Sequence, residues 1–119
     1  MRMSRNISKE KSMENNIKYS PEALNDLQEI WNYIYENLSN PIAAENTVNG
    51  ITDSVDKLKQ FPKAGSILEY PNGINIGYRF VQYKNYIVFY RISENDVVID
   101  RIIYGKSDYM KILFEDKTE

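Results

Sequence analysis

The stretch that decides the fold runs from residue 20 to residue 58 and reads SPEALNDLQEIWNYIYENLSNPIAAENTVNGITDSVDKL. It holds two helix-start signals, Ser20-Pro21 and Asn40-Pro41, in each of which a capping side chain precedes a proline suited to the first helical turn. After each start, apolar residues recur at spacings of three and four, which is typical of one face of a helix. These residues are Leu24, Leu27, Trp31, Ile34 and Leu38, with Ala23 and Ile30 beside them, and then Ala44, Val48, Ile51, Val55 and Leu58. Because the joint between them is short, the two helices are expected to pack as an antiparallel hairpin.

On both sides of this hairpin the pattern is that of β-strands. Ile17-Lys18-Tyr19 alternates in polarity and predicts a short first strand. Runs rich in Val, Ile, Phe and Tyr follow the hairpin and predict strands that two tight turns connect. These runs cover residues 78–83, 86–92 and 97–104.

The segments between and after these elements carry turn and helix-end signals. Phe61-Pro62 ends the second helix, because the residue before a proline avoids helical geometry. Residues 63–76 contain Gly65, Pro71, Asn72 and Gly73, and are interpreted as a loop. Ser107 can cap a short last helix over residues 108–113.

The resulting prediction is an α+β fold of order β-α-α-β-β-β-α, with the helical hairpin on one face of a small, mainly antiparallel sheet. The chain has 119 residues, of which 42% are hydrophobic, and this suits one domain. We expect that domain over residues 16–114, a disordered tail over 1–15 and a further tail over 115–119. The polar N-terminus and the lack of a long apolar run predict a cytoplasmic protein without a membrane partner.

Composition excludes several kinds of chemistry. The chain contains no cysteine and no histidine, so thiol nucleophiles, imidazole catalysis and the usual zinc sites are excluded. No phosphate-cradling glycine loop and no carboxylate cluster with ligand spacing is found, and therefore neither a cofactor nor a metal is expected. The net charge is −2, but residues 17–60 hold three basic and seven acidic side chains, while residues 75–111 hold six and four. An anionic partner is thus expected to meet the second half.

The ordered set of elements resembles the RelE/ParE superfamily of bacterial toxins from type II toxin–antitoxin systems. SPEALNDLQEIWNYIYENLSNPIAAEN is similar to the opening helical hairpin of that family, and LKQFPKAGSIL to its Leu-x-x-Phe-Pro-x-x-Gly connector. YRFVQYKNYIVFYRI resembles the central β-hairpin, with Arg79 on its first strand and Tyr86 and Tyr90 in a Tyr-x-x-x-Tyr pattern. The resemblance covers residues 17–114 and implies the same fold.

The terminal strand and turn, VVIDRIIYGKSDYMKIL, follow the family less closely. Many relatives have Arg-x-x-His-Gly-x-Arg-Asp there. Arg101, Gly105 and Asp108 match, whereas Tyr104 stands in place of histidine and Ser107 in place of arginine. These two departures weaken the expectation of catalysis.

The resemblance implies a growth-inhibiting toxin that stabilises plasmids and is neutralised by an antitoxin protein. A disordered antitoxin segment would wrap the helical hairpin and add a strand to an exposed sheet edge. ParE-like members poison DNA gyrase, and RelE-like members cut mRNA on the ribosome. The long hairpin, the connector and the final turn favour the ParE-like branch. A third interpretation is a degenerate toxin fold that only binds partners.

RNA cleavage would need a base, an acid and cations around the phosphate. In a RelE-like enzyme, Tyr104 and Tyr109 would supply the proton transfers, with Lys106 and Glu69 as further candidates. Arg79 and Arg101 would stabilise the charge, because guanidinium groups bind phosphate in a bidentate manner.

Each of these groups also has a structural interpretation. Arg79 and Arg101 could instead pair with Asp100 or Asp108, and strict alternation along 97–104 requires one charge beside the core. That alternation groups Arg101 with Val97, Ile99 and Ile103, and Asp100 with Val98, Ile102 and Tyr104. Tyr86, Tyr90 and Trp31 are interpreted as core residues, and the acidic residues of the first helix as a solvated face. That acidic set is Glu22, Asp26, Glu29 and Glu36.

Overall fold

Side-chain caps start both helices where the sequence predicts them. In the computed structural model, which describes residues 14–69, 73, 75–105 and 112–113, Ser20 Oγ accepts a hydrogen bond from Ala23 N at 3.0 Å. Asn40 Oδ1 accepts one from Ala43 N at 3.0 Å in the same way. Between the helices, Ser39 adopts a left-handed conformation with φ of 49°, which turns the chain back.

The two described helices form one layer, and the described strands form one sheet. They are β1 (Asn16–Tyr19), α1 (Pro21–Leu38), α2 (Pro41–Asp56), β2 (Ser66–Glu69), β3 (Asn75–Tyr83), β4 (Tyr86–Ser93) and β5 (Asp96–Tyr104). Two short 3₁₀ turns, Lys57–Lys59 and Pro62–Ala64, lead from α2 to β2. Helix α2 therefore ends before the predicted stop at Phe61-Pro62, and a 3₁₀ turn covers part of the difference.

The predicted termini fall largely beyond the described residues. Of the expected tails, residues 1–13 and 115–119 lie outside them, as do residues 108–111 of the expected last helix. Ile112 and Leu113 are described, both in helical conformation.

The sheet has five strands in the order β1-β5-β4-β3-β2, with β1 parallel to β5 and the other pairs antiparallel. The predicted α+β class, with the helices packed on a mainly antiparallel sheet, is confirmed. The interpretation of residues 63–76 as a loop is wrong over Ser66–Glu69, which form β2, and over residues 75–76, since β3 begins at Asn75 and not at the predicted residue 78. Strand β2 is only four residues long and lies among turn-forming residues, so its pairing with β3 decides its conformation.

Strand β1 covers only the first half of β5. Asn16–Tyr19 pair with residues 96–99, so the part of β5 from Asp100 to Tyr104 has no neighbouring strand on that side among the residues that the structure describes. Beyond Tyr19 the chain turns into α1, and Ser20 still contacts β5 through two hydrogen bonds, from its N to Ile99 O at 2.9 Å and from its Oγ to Asp100 O at 2.8 Å. This half of β5 therefore has an edge without a strand partner, which we call the free edge and which faces α1.

A β-bulge on β5 changes which side chains share a face. Phe89 pairs with Arg101 and Tyr90 with Ile99, which leaves Asp100 as the extra residue. The expectation that side chains alternate strictly between the two faces of the sheet along this strand is therefore wrong. The main core receives Val97, Ile99 and Ile102, whereas Ile103 lies in a second cluster.

The main core lies between the helices and the sheet, and the second, smaller cluster includes Leu68, Phe89, Ile103 and Leu113. On α1 the buried residues are Ala23, Asp26, Ile30 and Ile34. The predicted apolar stripe is wrong at both ends, because Leu24 and Leu38 are exposed. The helix is rotated so that Asp26 faces β5. No described helix is both long and apolar enough to span a membrane.

Candidate functional site

Arg101 is held by a buried carboxylate on α1. Its Nε donates to Asp26 Oδ2 at 2.8 Å and its Nη2 to Asp26 Oδ1 at 3.0 Å, a bidentate ion pair. The backbone N–H of Ile102 donates to the same Asp26 Oδ2 at 2.9 Å. Asp26 thus closes part of the free edge of β5, and hydrogen bonding to it raises the pKa of Arg101.

This arrangement corrects two sequence-based interpretations. Asp26 belongs to the buried face of α1 and not to a solvated acidic face, since its side chain is 7% exposed. Arg101 is half-buried, and its partner is Asp26 and not Asp100. Asp100 instead accepts from Arg91 Nε at 2.8 Å. Asp108 lies outside the described residues.

Arg79 is bound to the connector between α2 and β2. Its Nη1 donates to Gly65 O at 3.0 Å and to Lys63 O at 3.3 Å. Tyr90, which is fully buried, donates its hydroxyl to Pro62 O at 2.7 Å and accepts from Gly65 N at 2.9 Å. Strands β3 and β4 therefore hold the connector through its backbone.

The glycine of the connector is required by this close packing. A Cβ at Gly65 would lie 2.5 Å from Tyr90 Oη and 2.7 Å from Phe80 O. Backbone and a buried hydroxyl leave no room for such an atom. The glycine in LKQFPKAG therefore serves the contact with Tyr90, whose core assignment is confirmed.

Tyr104 lies at the end of β5 and is 41% exposed. Its ring meets that of Tyr86 edge-on, with centroids 5.8 Å apart. Burial raises the pKa of Tyr86, and the nearby Tyr104 and Tyr33 raise it further. Three tyrosines thus lie close together where β4 begins and β5 ends.

The structure does not bring the predicted catalytic residues into one cluster. Arg79 pairs in register with Tyr90, and Tyr104 with Tyr86, which is four residues away at the start of β4. Arg101 contacts α1, while Arg79 contacts the connector. The further candidate Glu69 ends β2 and is exposed. The candidates Tyr109 and Lys106 lie outside the described residues.

A groove of about 710 Å³ lies between α1 and the free end of β5, and we call it the α1–β5 groove. The turn between β3 and β4, at Lys84 and Asn85, closes one end of it. Its walls are mostly apolar and aromatic, and include Ile30, Tyr33, Ile34, Leu38, Tyr86, Ile102 and Tyr104. Such a groove beside an unpaired strand edge can accept an extended or helical peptide.

Sequence reasoning missed the α1 side of this groove. Leu38 was assigned to the core by its spacing, yet it is 64% exposed, and Tyr33 is exposed beside it. The available signal was Asp26, a carboxylate at a stripe position between Ala23 and Ile30. Among the described residues, no group of three or more side chains could hold a metal ion.

Comparisons with known proteins agree with this architecture. Residues 17–109 match the family described as the ParE toxin of the type II toxin–antitoxin system parDE. A chromosomal ParDE toxin–antitoxin system from P. aeruginosa is similar in structure, with a TM-score of 0.66 and 22% identity over 79% of this chain and 99% of that one. A comparison with curated proteins finds no significant match.

Two further solved structures share the fold at lower identity. The RelBE2 toxin–antitoxin complex from Mycobacterium tuberculosis has a TM-score of 0.53 and 18% identity over 77% of this chain and 92% of that one. The isolated RelE toxin from E. coli has a TM-score of 0.51 and 10% identity over 88% of this chain and 99% of that one. At these identities the likeness extends to the fold alone.

Proposed function

This chain belongs to the ParE toxin family of type II toxin–antitoxin systems, and from that premise we propose that it inhibits growth by binding DNA gyrase, with no bond-breaking chemistry of its own. We further propose that it acts in the cytoplasm, that its gene pair stabilises plasmids, and that a cognate antitoxin neutralises it. The competing proposal is a RelE-like endoribonuclease that acts on mRNA at the ribosome.

The proposal of gyrase binding over RNA cleavage rests on one observation, which is that both candidate arginines bind other groups of the fold. A ribonuclease needs guanidinium or ammonium groups that are free to stabilise the phosphorane as charge develops. Arg101 donates two hydrogen bonds to Asp26, and Arg79 donates hydrogen bonds to two connector carbonyls. The two guanidinium groups are not directed at one common point where a phosphate could lie. This supports an action by binding, through an extended surface.

The α1–β5 groove supports the antitoxin partner. It combines apolar walls with the end of β5 at Ile103 and Tyr104, beyond the backbone groups that Ser20 and Asp26 occupy, and this suits a segment that adds backbone hydrogen bonds as well as side-chain contacts. The similar structures named for ParDE and RelBE2 are toxin–antitoxin systems, which favours such a partner for this chain.

The first experiment separates the two targets by induced expression in a bacterial host. Incorporation of labelled thymidine and labelled methionine is followed separately over the first minutes. Under this proposal DNA synthesis falls first while translation continues, and the purified protein inhibits supercoiling by gyrase. An early fall in translation, with cut mRNA, would instead establish the ribonuclease.

Tyr104 provides the matching mutational test, because its exposed hydroxyl is the observation that most favours the ribonuclease. Tyr104→Phe removes the proton donor and keeps the ring that packs on Tyr86. Toxicity should persist in Tyr104→Phe and in Tyr109→Phe if the protein acts by binding. Loss of toxicity in either variant, at equal expression and stability, would favour proton transfer and RNA cleavage.

The antitoxin site is tested by a pair of exposed aliphatic residues near the tip of the helical hairpin. Leu38 lines the groove, whereas Ile42 is similarly exposed and is not among the groove-lining residues. Leu38→Arg should weaken binding of the antitoxin encoded beside this gene by at least about tenfold, since it places a charge in an apolar contact. Ile42→Arg is the control and should leave the affinity within about twofold. Equal effects of the two changes would place the antitoxin elsewhere.

A further inference from the structure

The connector after α2 carries a local positive charge in an otherwise acidic region. From Glu14 to Asp56 the chain has eight carboxylate side chains and a single basic one, Lys18. The next nine residues, 57–65, contain three lysines and no carboxylate. These lysines, Lys57, Lys59 and Lys63, are all exposed. We call residues 57–63 the lysine knuckle.

An exposed aromatic ring lies among these lysines. Phe61 is 64% exposed, although a phenylalanine at the end of a helix more often packs into the core. Its backbone N–H donates to Lys57 O at 3.2 Å, which keeps it within the same turn as the first lysine. The ring borders a shallow hollow of about 330 Å³.

The knuckle is fixed by its neighbours on every side. Leu58 is buried in the main core, and Lys59 O accepts from Asn15 N at 2.9 Å. Farther along, Tyr90 and Arg79 hold Pro62 and Lys63 through their carbonyls. The Phe61 ring is therefore displayed by an ordered backbone, and binding to it requires no ordering of the connector.

The hollow beside the ring has mixed polarity. It is lined by Phe61, Gln60, Lys57 and Lys59, and also by the carboxylates of Asp56 and Glu14. Carboxylate and amide oxygens accept hydrogen bonds from the amino groups of a nucleobase. The same carboxylates repel any anionic group, whether a carboxylate or a phosphate, so the hollow itself favours an uncharged group such as a base, with the charged groups of the occupant on the lysine side.

We propose that the lysine knuckle binds single-stranded nucleic acid, with one base stacked on Phe61 in the hollow and the adjoining phosphates at Lys57, Lys59 and Lys63. An aromatic platform among basic side chains is the arrangement by which proteins bind single strands with little sequence preference. This site is separate from the α1–β5 groove and does not depend on which cellular target the toxin has.

The test uses the purified full chain and a fluorescein-labelled single-stranded oligonucleotide of mixed sequence, with anisotropy measured at low salt. Phe61→Ala should lower the affinity at least about fivefold, because stacking on the ring is lost. Phe61→Trp should retain it. Lys59→Glu should also lower the affinity at least about fivefold, and Lys84→Glu is the matched control because Lys84 is exposed but lies at the α1–β5 groove.

Salt dependence gives an independent measure of the same site. With three phosphates neutralised, the logarithm of the binding constant should fall with a slope of roughly −2 against the logarithm of salt concentration. Lys59→Glu should make that slope shallower, while Phe61→Ala should leave it unchanged. Equal thermal stability of the variants shows that they are folded.

Several results would overturn the proposal. They are equal losses in Lys59→Glu and Lys84→Glu, unchanged binding in Phe61→Ala, or no binding at millimolar protein. Competition by polyglutamate that matches competition by polythymidylate would assign the knuckle to an acidic peptide instead. Each of these outcomes leaves the gyrase proposal intact, since the oligonucleotide assay contains neither gyrase nor antitoxin.

Discussion

Two arginines that the sequence marks as functional perform structural tasks of different kinds. Arg101 forms an ion pair with Asp26 across the gap between β5 and α1, and we call this contact, with the bond from Ile102 N, the helix clamp. Arg79 and Tyr90 hold the connector through backbone groups, and we call that contact the connector clamp. The helix clamp compensates a buried charge, whereas the connector clamp satisfies neutral polar groups.

This difference predicts how each clamp fails. An ion pair that loses one partner leaves an uncompensated charge in a poorly solvated place, which is strongly destabilising. A clamp on carbonyl and N–H groups loses hydrogen bonds of ordinary strength. Arg79 and Arg101, the predicted catalytic arginines of this chain, can therefore be required for folding, and loss of function in their variants has to be separated from loss of the fold.

The largest effect is expected at the helix clamp. Arg101→Ala should lower the free energy of unfolding by about 3 kcal/mol, because it leaves the Asp26 carboxylate buried and unpaired. The control is Lys18→Ala, since Lys18 and Asp96 form an exposed ion pair at 3.1 Å, and it should change stability by less than about 1 kcal/mol. Urea denaturation at pH 7 measures both. Equal small losses would mean that the helix clamp is as solvated as a surface pair.

A smaller effect is expected at the connector clamp. Tyr90→Phe keeps the buried ring but removes the hydroxyl that serves Pro62 O and Gly65 N, and it should lower the free energy of unfolding by about 2 kcal/mol. Tyr35→Phe is the control, because Tyr35 is exposed, and it should stay within about 0.5 kcal/mol of the wild type. Hydrogen exchange at the Gly65 amide should accelerate only in Tyr90→Phe. Unchanged exchange there would contradict the hydrogen bond from Gly65 N to the Tyr90 hydroxyl.

Local signals made most of the fold predictable from sequence. The caps at Ser20 and Asn40 and the turns at residues 84–85 and 94–95 depend on neighbouring residues, and all are present. Strand β2 was missed because its conformation is decided by pairing with β3, and a four-residue segment is too short to predict this pairing from its own sequence. The bulge at Asp100 was missed for the same reason, and it reverses the facing of Ile102 and Ile103.

The site was less predictable because its contacts join distant parts of the chain. Asp26 and Arg101 are 75 residues apart, so nothing near Arg101 in sequence identifies its partner. The lysine knuckle was missed for another reason. A charge count over residues 17–60 ends before Phe61 and Lys63, so it dilutes Lys57 and Lys59 among seven acidic residues. A shorter window, over residues 57–65, shows three lysines and no carboxylate.

The smallest expected effect is a difference between the two clamps in how their contributions to the free energy of unfolding depend on pH. Burial raises the pKa of Tyr90 above its ordinary value of 10.0, so the hydroxyl contributes stability that is complete below pH 10 and is lost as the pH rises through the folded-state pKa. The stability advantage of the wild type over Tyr90→Phe should therefore narrow between pH 10 and about pH 11, since only the wild type gains from ionising this group in the unfolded chain. The advantage over Arg101→Ala should stay constant over that range, because hydrogen bonding to Asp26 raises the pKa of Arg101 further above its ordinary value, which already lies well above this pH range. Urea midpoints of the three proteins at pH 8, 10 and 11 measure both differences. A parallel narrowing in the two variants would contradict the assignment of this alkaline effect to the Tyr90 hydroxyl.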